Sequence, residues 1–172
     1  MEIEELMIRA INESLSNIHT VVIAKVTKVN SKTINCKPCI NRIVGEDSIE
    51  LPEFAQVPLI TLQGGNSYIH FPVAIGDYCL LLVSERNFDK WYYGKDFDVP
   101  NELNKFDYSD CFALVGINPL GSAKPIPTTT QIQGNINMTG TLNITGDVIV
   151  NGISFLGHKH PESIGSITGV PQ

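Results

Sequence analysis

The sequence predicts an all-β protein: a small barrel, then a slender β-repeat that three chains share, with one short α-helix in front. Three observations carry this reading. Short runs of period-two apolar patterning fill residues 20–115, a six-residue unit recurs from Ile132 to Gly152, and charge is confined to the first part of the chain. Of 30 charged residues, 27 precede Ile126, and only Asp147, Lys159 and Glu162 follow it.

Residues 1–18 place Ile3, Leu6, Met7, Ala10, Ile11 and Leu15 at helical spacing, with Glu2, Glu4 and Glu5 near the positive end of the helix. This amphipathic helix can pack on its own domain or on a partner. In residues 19–117 strands are predicted over 21–29, 33–40, 50–60, 68–71, 78–84 and 112–115, separated by turn signals at Asn30-Ser31, Gly45-Glu46-Asp47, Gly64-Gly65-Asn66 and Gly76-Asp77. A short helix is predicted over 87–93. Five or six short strands with one helix before the last suit a closed barrel of the oligonucleotide/oligosaccharide-binding (OB) topology. Phe88, Trp91 and Tyr92, beside the Cys79–Val83 run, are assigned to barrel core in preference to a ligand platform. The Cys36-Lys-Pro-Cys39 spacing lacks the second pair that a zinc ribbon needs, so all four cysteines, including Cys79 and Cys111, are read as reduced. Residues 118–130, with three prolines, form a stiff connector and a domain boundary.

Residues 131–160 hold the repeat. Even positions from Ile132 to Gly152 are aliphatic or Gly, and odd positions are almost all Gln, Asn, Thr or Asp. Each unit offers two aliphatic side chains, worth roughly 1.5–3 kcal/mol each when fully buried. Against that stands roughly 1–2 kcal/mol of backbone entropy per residue ordered. One copy therefore stays unfolded alone. Three chains around one axis would bury the aliphatics and add interchain hydrogen bonds worth roughly 0.5–1.5 kcal/mol each, giving an intertwined trimeric β-helix needle. Gly134, Gly140, Gly146 and Gly152 would sit where the chain bends or where backbones crowd the axis. The alternative is a two-layer solenoid within one chain.

Directly after the repeat come His158 and His160. In a strand, residues two apart face the same way. A single chain offers two imidazoles, and three chains offer six, which suits a six-coordinate transition ion and not tetrahedral zinc. Pro161 ends ladder pairing, and residues 161–172 form a C-terminal tail. No enzyme signature accompanies the pair: no third histidine follows it, and no Gly-x-Ser-x-Gly elbow, phosphate loop or dinucleotide fingerprint occurs. The expected protein is not an enzyme. A formal charge of −6 without a basic run argues against nucleic acid as a partner. Neither a membrane span nor a signal peptide is read, so synthesis in the cytoplasm is expected.

Two stretches carry a family resemblance. Phe71-Pro-Val-Ala-Ile-Gly-Asp-Tyr-Cys-Leu-Leu, the later Trp91, and Asp107-Tyr-Ser-Asp-Cys-Phe-Ala-Leu are similar to the N-terminal OB domain of the central baseplate spike proteins of contractile phage tails and related bacteriocin particles. The Gly-punctuated repeat ending in Gly157-His158-Lys-His160-Pro161 resembles that family's trimeric β-helix and tip. The stretch after Pro161 departs from the family in being less Gly-rich. The resemblance implies a homotrimer in the virion or bacteriocin particle, seated on tail hub and baseplate proteins through its first domain. It also implies a needle that pierces the bacterial envelope, capped by one iron ion per trimer on His158 and His160. The rival reading is a trimeric receptor-binding fibre or adhesin that binds a cell-surface saccharide. Against it, no aromatic residue follows Phe155.

Overall fold

The computed structural model describes residues 3–16 and 18–159. The chain divides into two units, Met1–Pro125 and Ile126–Gln172. Alternation organises the first unit. In β1 (Val21–Val29) Ala24 and Val26 point inward, in β2 (Thr33–Pro38) Ile34 and Cys36 do, and between these inward positions stand more exposed residues. Two short hairpins, β3 (Arg42–Val44) with β4 (Asp47–Ile49) and β6 (Leu62–Gly64) with β7 (Ser67–Ile69), flank β5 (Phe54–Pro58) in the sequence. β8 (Tyr78–Val83) and β9 (Cys111–Ile117) complete a five-stranded sheet ordered β5-β2-β1-β8-β9, with every neighbouring pair antiparallel.

The sheet curls until its edges touch. Leu59, next after β5, bridges Ala113 of β9 in parallel, and Ile60 N–H donates to the Ala113 carbonyl at 2.9 Å. This is an OB-like strand order. Bulges supply the curvature: Thr27 is the extra residue opposite β2, and Gly116, at φ 125°, is the extra residue opposite β8. The core consists of Ala24, Val26, Ile34, Cys36, Val57, Cys79, Leu81, Cys111 and Ala113. Five of these nine are Ala or Cys, small enough for five strands to close on one another. Burial pushes the Cys111 thiol up to about 12, and a hydrogen bond with Cys79 together with burial pushes Cys36 up as well. They stay protonated at neutral pH and act as packing, not as ligands. Cys36 faces this core while Cys39 is exposed, and both are free.

Around the barrel, α1 (Ile3–Ser16) has no buried residue; Ile3, Met7, Ile11 and Leu15 leave its apolar face open. The short α2 (Asp89–Tyr92) precedes β9, as expected, but its aromatics are not barrel core. Phe88 stacks on Phe112 with ring centroids 4.4 Å apart, and Trp91 meets Phe112 edge-on at 5.9 Å. Phe112 lies between the inward-facing Cys111 and Ala113, so period two turns it outward, and the aromatics follow it to the outer surface.

The second unit has a different character. Its first 23 residues, 126–148, form no strand, and the sole ladder among its described residues joins β10 (Ile149–Val150) to β11 (Ile153–Ser154). Among the described residues the single chain shows neither a β-helix nor the two-layer solenoid. The six-residue period is nevertheless present in the backbone: Gly134, Gly140 and Gly146 have φ of 124°, 134° and 132°. Side chains rarely adopt that region. Ile132, Ile136, Met138, Leu142 and Ile144 between them are all exposed.

Replacing Leu81, fully buried, with Ala is expected to destabilise the barrel by about 2–5 kcal/mol. Leu103→Ala, at a 91% exposed position, is expected to change stability by no more than about 0.5 kcal/mol. Urea unfolding followed by Trp91 fluorescence measures both.

Candidate functional site

The sequence places the candidate metal ligands just beyond the repeat, and the backbone there is organised by one turn. Asn151 and Gly152 both have positive φ, 51° and 82°, as a two-residue hairpin of the mirror-image type requires, and Asn-Gly is its strongest sequence signal. The hairpin pairs Ile149 with Ser154 and Val150 with Ile153. Phe155 N–H continues the ladder by donating to the Val148 carbonyl at 2.8 Å. Val150-Asn-Gly152, which the period marks as a fourth repeat unit, is therefore the reversal that ends the repeat.

Two side chains then fold the segment after β11 back upon the hairpin. Asp147 Oδ1 accepts from Leu156 N–H at 3.1 Å, and Ser154 Oγ accepts from Gly157 N–H at 2.7 Å. A Cβ on Gly157 would meet that same Oγ at 3.0 Å, so the approach leaves little room for a side chain. The Ser154 hydroxyl and the Leu156 N–H hold the Asp147 carboxyl below its usual value of 3.8. Neither residue is singled out by the repeat pattern. Asp147 is nonetheless the one charged residue between Ile132 and Gly152, which is the signal that could have found it.

This turn carries His158. Its N–H donates to the Ser154 carbonyl at 3.0 Å, and its ring Nδ1 lies 2.7 Å from the Phe155 carbonyl oxygen. The Phe155 ring lies beside the imidazole at 5.8 Å. A carbonyl oxygen only accepts, so Nδ1 carries the hydrogen and the lone pair of the neutral ring resides on Nε2. Fixing the tautomer through the other ring nitrogen is how proteins orient metal-bound histidines. A ring held in this way would present Nε2 as the ligand atom to an ion. His158 follows a turn over residues 155–157 and is not in a strand, so the same-face argument for a strand does not describe it. His160 lies outside the described residues. Among the described residues no group of three or more His, Cys, Asp or Glu side chains is placed to hold a metal, and no helix is long and apolar enough to cross a membrane.

Comparison with known families bears on the barrel. The family described as phage protein Gp138 N-terminal domain matches residues 21–116, from the first residue of β1 to within β9 and over more than half of the chain. The chain belongs to the Gp138 N-terminal domain family. It is therefore a phage protein, and the membership fits a structural component of the particle and a non-enzymatic role. No curated protein matches the chain.

Because the Asp147 carboxyl is held below its free value, the order it gives the turn is present above about pH 3.8 and is lost as pH falls through its folded pKa. Hydrogen exchange at the Leu156 amide is expected to accelerate, beyond its intrinsic pH dependence, on acidification from pH 5 to about 2. In Asp147→Asn that acid-induced step should be absent.

Proposed function

We propose that this phage protein is the central spike of a contractile tail or related bacteriocin particle. Three copies intertwine residues 131–160 into a needle that sheath contraction drives through the bacterial envelope, while the barrel seats the trimer on hub and baseplate proteins. The observation that carries this reading is the exposed aliphatic row of residues 132–144, bent at each third even position by a glycine with φ near 130°. It is a regular backbone whose apolar side is exposed.

The two short hairpins of the first unit support the same reading. A two-stranded hairpin is marginal in water on its own, and neighbouring copies would cover β3–β4 and β6–β7 as well.

At the tip, His158 and His160 of each chain would hold one iron ion. The ion would supply coordination bonds that tie three chain ends together where fraying is otherwise cheapest. On the chain's side, Phe155 aims the imidazole of His158, and Asp147 and Ser154 hold the turn that carries it.

Light scattering should give three times 18.9 kDa, about 57 kDa; a monomer in dilute solution would overturn the spike. Metal analysis should find one iron per three chains, lost in His158→Ala and in His160→Ala, with the distal segment melting earlier and the barrel unchanged. Wild-type levels of iron in both variants would remove the site.

A further inference from the structure

The two outer strands of the sheet are joined by the Leu59–Ala113 bridge and the Ile60–Ala113 hydrogen bond. On the N-terminal side of that bridge, no backbone hydrogen bond joins β5 to β9 among the described residues. The seam opens there into a cleft of about 580 Å³, within the size range of small-ligand sites. Residues 53–58, the whole of β5 and the residue before it, line it.

This strand edge is shaped. From Phe54 to Val57, β5 spends three steps where β2 spends two, from Ile34 to Cys36, and Gln56 takes up the difference at φ 57°. A non-glycine residue in that conformation is held by its surroundings. Asn35 does so, its Oδ1 accepting from Gln56 N–H at 3.2 Å. Bulges of this kind occur at sheet edges and beside functional sites. Aromatic rings also line the cleft. Tyr108 is fixed by stacking on His19 at 3.7 Å and lies 5.4 Å from Phe54, and Tyr92 contributes a further partly exposed ring.

Charge in the cleft has one sign. Glu53 and Asp89 line it, and no Lys or Arg does. Asn35 Nδ2 donates to Glu53 Oε1 at 2.9 Å and holds that carboxyl below its usual range, so it is ionised at neutral pH; Lys28 and Lys37 act on it from outside the lining. An unpaired edge recognises the main chain of another extended polypeptide. A sugar would use the rings and leave the edge unused.

We propose that this seam docks an extended segment of a partner polypeptide, added as a strand along β5 with a Lys or Arg side chain directed to Glu53 and Asp89. The site lies wholly in the barrel, so it stands or falls separately from the needle and its ion.

The test uses the full chain and fluorescent decapeptides that alternate Val or Thr with Lys, against matched peptides with Glu for Lys and against N-acetylglucosamine oligomers. The Lys peptides are expected to bind about tenfold more tightly than the Glu peptides, a gap of the size two partly exposed ion pairs supply. Hydrogen exchange is expected to slow over residues 53–58 on binding. The preference should fall below about threefold in Glu53→Gln/Asp89→Asn, and it should shrink in 0.5 M salt, a readout that needs no variant. Equal binding of both peptides, binding of neither, protection confined to other segments, or displacement by the oligosaccharide would each overturn the proposal.

Discussion

A strand with one dry face must be covered, and the two units meet that constraint by different means. In the barrel, five strands curl until each covers the others. In the second unit the aliphatics of 132–144 stand in a regular row, exposed, with no strand paired to them among the described residues. Every inference about assembly follows from this difference, because apolar side chains left in water along an ordered backbone gain nothing to set against the entropy of ordering it.

The barrel's closure is economical. A single parallel bridge and one further hydrogen bond join its outer strands, and three cysteines and two alanines let the walls approach one another. Larger residues at Cys79 or Ala113 would force the walls apart and widen the seam. The aromatic residues that the sequence assigns to the core lie instead around Phe112 on the outer face, within the long connection from β8 to β9. Asp110, nearly buried at the start of β9, anchors the same connection: its carbonyl accepts from Ser84 N–H at 2.7 Å, and its carboxylate accepts from Asn87 Nδ2 at 3.0 Å.

Strands with strong alternation were legible in the sequence. Val21–Val29 and Tyr78–Val83 lie where the periodicity puts them, to within a residue. The run 50–60 was less so: Pro52 has no N–H to pair, and β5 begins only at Phe54. The hairpin arms Arg42–Val44 and Leu62–Gly64 are three residues each, too short for a period to register, although the Gly-containing turns that join them to their partners were visible. The roles of Asp147 and Ser154 were illegible for another reason, although the lone charge of Asp147 marked its position. They act through hydrogen bonds to backbone groups up to nine residues away, and a repeat pattern records only which face a side chain takes.

The bond between His158 Nδ1 and the Phe155 carbonyl has a consequence for how this turn tolerates change. Its acceptor belongs to the main chain, which every amino acid at position 155 would present alike. Genetic drift can rewrite that side chain, at the cost of its ring contact with the imidazole, while Nδ1 keeps its acceptor. A change that reroutes the polypeptide itself, such as loss of the Asn151-Gly152 reversal, would take that acceptor away.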